Sequence, residues 1–208
     1  MKNSKKLLLL FIISFSFTDH IVETQNNHFS NYDQISPIEM NVEINLGDFE
    51  IIETVLNNRN FFKINYDNLY PSTVIGSPEL PKLNQLIEIP RQATVRIEII
   101  NDEVMEIDLN MIKNNIKLAP VQYPISKSAS LDKIEFAYDE NIYSNNKYLK
   151  EELINVLDKG TLREVRIGNV MFSPFEYNPV TNKLVIHKNI QFKIHFDNAN
   201  LSETNLIK

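Results

Sequence analysis

Between Ile190 and Phe196 an apolar side chain falls at every second position, with Gln191, Lys193 and His195 in the gaps. Successive side chains of a strand point to opposite faces, so this spacing suits a sheet with one buried face and does not suit a helix. The same period recurs in Val42, Ile44 and Leu46 and again in Val95, Ile97 and Ile99. Further strand-like stretches cover residues 49–55, 61–66, 83–89, 104–109, 133–138, 162–172 and 183–187. Asn57-Asn58-Arg59-Asn60, Asn101-Asp102, Lys188-Asn189 and the 177–182 stretch are the expected turns between them. Only residues 145–157 carry rough helical spacing, through Tyr148, Leu149, Leu153, Val156 and Leu157, with Lys159-Gly160 as the stop.

About ten short strands, turn signals every 8–15 residues and no alternation of strands with helices predict an all-β, β-sandwich or jelly-roll-like single domain with at most one short helix. An apolar fraction of 43% supplies enough side chains for a real core. With four glycines against nine prolines, the turns depend on Asn, Asp and Pro.

The amino terminus reads as an export signal. Lys2, Lys5 and Lys6 precede an apolar run of about 11 residues, shorter than the roughly 20 a membrane span requires. Small residues at Ser14 and Ser16 suit cleavage after Ser16. The expected organisation is a signal peptide at 1–16, a loosely ordered leader at 17–40, the β-sandwich domain at 41–199 and a C-terminal tail at 200–208. Removal of the three signal lysines takes the formal charge from −6 to −9, which disfavours nucleic acid and anionic membranes as partners. An exported, acidic, AT-rich-looking sequence points to the envelope or surroundings of a bacterium.

Chemistry of its own is not expected. With no cysteine there is no disulfide, lipoprotein thiol or thiol nucleophile. His28 lies in the leader, while His187 and His195 are expected on strands, facing each other across the Lys188-Asn189 turn. No nucleophile elbow accompanies them, and on polar strand positions they read as solvated side chains in preference to metal ligands. Glu151-Glu152 and Asp139-Glu140 are sequence neighbours, whereas a glycosidase needs two carboxylates at a set separation in a cleft. No phosphate loop or dinucleotide fingerprint is present, so no cofactor is expected. The 12 Phe and 8 Tyr fall mostly on the apolar phase of strands. A cell-surface or carbohydrate-binding module built on an aromatic platform is the alternative reading.

Three segments, in order, carry a resemblance. The first is Gly76-Ser77-Pro78-Glu79-Leu80-Pro81 with Ile89-Pro90 and Val95-Arg96-Ile97-Glu98-Ile99 after it. The second is Leu118-Ala119-Pro120. The third runs from Leu162-Arg163-Glu164-Val165-Arg166 through Phe172-Ser173-Pro174 to Tyr177-Asn178-Pro179-Val180-Thr181 and Leu184. Together, over roughly residues 40–200, they resemble the N-terminal prodomain of gingipain-type, family C25, cysteine peptidases. The resemblance implies a non-enzymatic β-sandwich that assists folding of a secreted peptidase and blocks its cleft. Its partner would be a catalytic domain, supplied in cis by a longer precursor or in trans, since the sequence as it stands ends at Lys208 without one. In basic-specific members a loop after the Ala-Pro pair offers a basic side chain to the specificity pocket. The matching position here is Lys127, flanked by Ser126 and Ser128.

Overall fold

The computed structural model describes residues 29–36 (as backbone), 38–66, 69–125 and 135–205. The described residues contain ten strands and three single-turn helices: β1 Phe29–Ser36, β2 Glu39–Asn45, β3 Glu50–Leu56, β4 Arg59–Asn65, β5 Leu83–Glu88, β6 Thr94–Asp108, α1 Leu109–Ile112, α2 Glu140–Tyr143, β7 Ile154–Leu162, β8 Val165–Phe172, β9 Phe175–Asn178, β10 Lys183–Asp197 and α3 Leu201–Asn205. The all-β expectation holds, with three short helical turns where at most one was expected. No helix among the described residues is long and apolar enough to cross a membrane.

β10 organises the molecule. It pairs antiparallel with β6 along one side, and with β9 and then β2 along the other; β1 extends the sheet beyond β2. A second sheet has the order β5-β8-β7, and β3 and β4 form a separate hairpin. The alternation read from the sequence is the burial pattern of β10: Ile190, Phe192 and Ile194 have no exposed surface and Phe196 has 2%. They join Val42, Ile44 and Leu46 of the β2 segment, Phe62 of β4, Leu83 of β5, Val170 and Phe172 of β8 and Tyr177 of β9 in one apolar core. Burial of a side chain of this size is worth about 1.5–3 kcal/mol, so the sheets are held face to face chiefly by this layer.

Several expected breaks are not breaks. Asn101-Asp102 lies within β6, because Asn101 pairs with Gln191 and Asp102 with Ile190 of the long partner strand. Lys188-Asn189 is a bulge inside β10 and not a turn. Conversely, residues 162–172 are interrupted at Arg163 and Glu164, whose φ values of 47° and 71° turn β7 back into β8. Asn57 and Asn58, at φ 47° and 59°, form the expected tight turn of the β3–β4 hairpin.

Residues 145–157 are not helical. Leu149 exchanges two backbone hydrogen bonds with Tyr177, at 2.8 and 3.1 Å, and Ile154 opens β7. The tertiary partner overrides a weak local preference. Residues 135–138, expected to be strand, run outside any ladder. Phe29–Ser36, inside the 17–40 stretch read as a leader, is strand β1, paired with β2.

Candidate functional site

The three motif segments, far apart in sequence, meet at one place. Pro78 bridges Pro120, Glu79 N–H donates to Ala119 O at 2.9 Å, and Val121 N–H donates to Ser77 O at 2.9 Å. Gly76 N–H in turn donates to Val121 O at 2.8 Å. The Gly-Ser-Pro segment is therefore the pairing partner of the Leu-Ala-Pro segment. On the other side, Phe62 of β4 exchanges bonds with the same stretch, donating to Lys117 O at 2.8 Å and accepting from Ala119 N–H at 2.7 Å.

Tyr177 of the third motif, together with Tyr143 of α2, fixes the main chain of Leu118. The Tyr143 phenol donates to Leu118 O at 2.7 Å, while Leu118 N–H reaches Tyr177 Oη at 3.3 Å. Tyr177 Oη donates to Asn182 Oδ1 at 2.6 Å, and Asn182 Nδ2 donates to Ile116 O at 2.9 Å and Asn110 Oδ1 at 3.0 Å. Asn182 holds φ 59°, a left-handed conformation Asn tolerates well. Asn178 Oδ1 accepts from Val180 N–H at 3.0 Å and Thr181 N–H at 3.2 Å, closing the turn before it. Lys117 Nζ donates to Pro179 O, and burial lowers the ammonium's pKa. Burial raises the phenols of Tyr143 and Tyr177 well above the ordinary range, keeping both as neutral hydrogen-bonding groups.

Past Pro120 the chain departs and returns at Ala137. Gln122 joins the two arms: its Nε2 donates to Pro120 O and Ala137 O, each at 2.9 Å, and its Oε1 accepts Ala137 N–H at 3.1 Å. The returning arm is fixed next by Asp139 N–H, which donates to Gly76 O at 3.0 Å. Gly76 sits at φ 79°, and a Cβ there would lie 3.1 Å from Asp139 N. Asp139 caps α2 by accepting from Asn141 N–H at 2.9 Å and Ile142 N–H at 3.3 Å. Tyr138 stacks on Tyr143 with centroids 4.1 Å apart, and Phe136 and Phe61 pack beside it. The Arg59 guanidinium lies 6.0 Å from the Tyr138 centroid. Burial raises the Tyr138 phenol, an effect that Arg59 opposes.

Ser126, Lys127 and Ser128 lie outside the described residues, in the stretch of sequence that joins Ile125 to Glu135. Within the described part, Tyr123 and Ile125 on the outgoing arm are half exposed. Gln122 and Tyr143 gave no signal in the sequence, which marks Asp139 only as a carboxylate beside Glu140; the role of each depends on where the returning arm lands.

His187 and His195 are not brought together. They occupy one continuous strand eight positions apart, on the order of 25 Å. Contrary to the expectation of solvated positions, both are buried. His187 Nδ1 lies 2.9 Å from Asp102 and Nε2 lies 3.6 Å from Glu176. His195 Nε2 lies 2.8 Å from Glu98 and Nδ1 lies 3.2 Å from Glu39. The hydrogen bond to His195 lowers the Glu98 carboxyl's pKa. Among the described residues no group of three or more His, Asp and Glu side chains is arranged to hold a metal ion. The aromatic residues largely serve the core: Phe62, Phe172, Phe175, Phe192, Phe196 and Tyr177 are essentially inaccessible.

The Propeptide_C25 family model matches residues 30–206. Lys-gingipain HG66 of Porphyromonas gingivalis is 30% identical over 176 residues, which make up 84% of this chain and 10% of that protein. Gingipain R2 of the same species is 30% identical over 115 residues, covering 55% of this chain and 15% of that protein. The chain thus spans about a tenth of the length of the Lys-gingipain it matches. A solved structure addressing the zymogenic latency of gingipain K from P. gingivalis superposes with a TM-score of 0.75 at 27% identity, over 81% of this chain and 92% of that one. A complex of the pro- and mature domains of P. gingivalis RgpB shares the fold, with a TM-score of 0.69 at 20% identity over 81% and 85%.

Proposed function

The chain belongs to the C25 propeptide family, and from that premise we propose that it is a prodomain that holds a gingipain-like cysteine peptidase latent by lodging Lys127 in the specificity pocket. A propeptide is the non-catalytic segment of a peptidase precursor, in keeping with a chain that has no cysteine. The partner is a cysteine peptidase catalytic domain, joined in cis or met in trans.

The observation that supports this reading is the convergence of all three motifs on the root of the segment that carries Lys127. A root fixed from several sides lets a short segment present one side chain without a large ordering cost on binding. A lysine ammonium is a compact point charge suited to a carboxylate-lined pocket, and its choice over arginine favours a lysine-specific partner such as a Lys-gingipain. Held in cis, such a side chain acts at an effective concentration of order millimolar. A latent complex of this kind requires roughly 1,600 Å² of total buried surface, so the body of the domain must dock as well as the tip. On this reading residues 1–16 direct export, and the protein acts in the envelope or outside a bacterial cell.

The test adds the purified domain, as wild type and as Lys127→Ala, to a lysine-specific cysteine peptidase of this family. The wild type is expected to inhibit, with the variant weaker by about 100-fold or more, as expected for a buried charged anchor. Equal inhibition by the two proteins, or none by either, overturns the proposal.

A further inference from the structure

We infer that Gln122 is a positioning residue for the inhibitory segment, its side-chain amide standing in for a backbone peptide to close the root. This rests on the inhibitory reading above and adds the part that separates an inhibitor from a substrate.

A carboxamide has two N–H donors and one carbonyl acceptor, and Gln122 uses each of them on the main chain. Ala137 has its N–H and its C=O bound by one side chain, at 3.1 and 2.9 Å, the double exchange a residue receives in an antiparallel ladder. The second donor returns to Pro120 O at 2.9 Å on the outgoing arm. Gln122 and Ala137 are 15 positions apart, and Ala137 is buried at 8% exposure. Inward of this rung both arms are bound to the same short segment: Val121 to Gly76 and Ser77, and Asp139 to Gly76. Gln122 is the outermost rung among the described residues, the one that sets how far apart the arms stand.

Two physical consequences follow. The ends are held before a partner arrives, so less conformational freedom is lost on binding. If the partner cuts a peptide bond between the arms, the new termini remain attached to one rigid root and do not diffuse away, which slows release and favours the bound state. A glutamate at 122 retains size and acceptor capacity but has no donor, and sets a carboxylate against two carbonyl oxygens.

The full chain is tested as wild type, Gln122→Glu, Gln122→Ala and Lys127→Ala against a lysine-specific cysteine peptidase. The readouts are the inhibition constant, the rate of cleavage between residues 122 and 137 by mass spectrometry, and hydrogen exchange of the Ala137 amide without peptidase. Gln122→Ala removes the acceptor of the Ala137 N–H and is expected to exchange that amide about ten-fold faster or more. Both variants lack the donors to Pro120 O and Ala137 O, and both are expected to inhibit about ten-fold more weakly and to be cut correspondingly faster. Unchanged inhibition and cleavage in both variants overturns the positioning role, and so does unchanged Ala137 exchange in Gln122→Ala. If Lys127→Ala loses inhibition in the same assay, the inhibitory reading survives that result; if Lys127→Ala inhibits as wild type, that reading falls and this inference with it.

Discussion

Tyr143 and Tyr177 hold the main chain of one residue, Leu118: one phenol donates to its carbonyl and the other accepts from its N–H. Leu118 is 1% exposed, so water cannot replace either bond. Tyr143→Phe leaves a buried carbonyl without this donor and is expected to cost about 1–3 kcal/mol. Because both tyrosines act on one residue, the loss in Tyr143→Phe/Tyr177→Phe should differ from the sum of the single losses. Urea unfolding of the four proteins checks it, and strict additivity would show that Leu118 does not couple them.

The same pair sets an alkaline limit. Burial raises both phenols in the folded protein, while in the unfolded chain they titrate near ~10. A raised folded pKa means the stabilising contribution is complete below the unfolded value and is lost as pH climbs above it. Stability should therefore fall from about pH 10 upward, with a shallower slope in Tyr143→Phe. Chemical denaturation between neutral pH and ~11 measures that slope; parallel curves for the two proteins contradict the assignment.

At the acid end, the Gly160 N–H and then Arg166 hold Asp158 below the ordinary carboxylate range. A depressed folded pKa contributes stability above the unfolded value, near ~3.9, and loses it as pH falls through the folded one. Asp158→Asn should be less stable than wild type at neutral pH, with the gap closing below about pH 4. Thermal melts across that range test it; a gap that stays constant with pH means that titration of Asp158 does not contribute.

Gly76 is the crossing point of the two arms. Alanine there must hold φ 79° with its Cβ 3.1 Å from Asp139 N, a backbone atom that cannot swing aside. Gly76→Ala is expected to cost about 1–3 kcal/mol. It should also speed exchange of the Asp139 amide, which donates to Gly76 O. An unchanged melting temperature would show that the root shifts freely.

Gly168 of β8 admits Ile89: a Cβ at 168 would fall 2.5 Å from Ile89 Cδ1. Overpacking of this kind costs about 1–3 kcal/mol. Ile89→Val removes that terminal methyl, so Gly168→Ala should be milder in the Ile89→Val background than in the wild type. Denaturant midpoints of the four proteins decide; equal costs in both backgrounds would place the strain elsewhere.

The motif carrying Ile89-Pro90 has its own structural reason. Ile89 N–H donates to Arg166 O at 2.9 Å, and Arg166 Nη1 donates to Ala93 O at 2.7 Å while its Nε reaches Asp158 at 2.8 Å. Arg91 lies 3.3 Å from Glu203 and its N–H donates to Thr204 Oγ1 at 3.0 Å, which seats α3 on the same turn. The second motif segment thus holds the stretch before β5, at the inhibitory root, and the third holds the turn after β5, on which α3 also sits.

What the sequence determined by itself was whatever depends on near neighbours. Period-two spacing identified the buried faces of β2 and β10, because a pleated chain allows only two directions for a side chain. The Asn57-Asn58 turn was legible because Asn readily takes a left-handed backbone. The motif segments carried the family. Tertiary structure alone decided what depends on partners distant in the chain. Arg163 and Glu164 are poor turn residues, yet β7 and β8 fold back there because both strands have sites in the second sheet. Residues 145–157 gave up helical spacing because Tyr177 offered Leu149 a backbone partner. Gln122 became a clamp only when Ala137 arrived beside it: a side-chain amide is equally at home in water, and its use is fixed by which main-chain groups are left without partners around it.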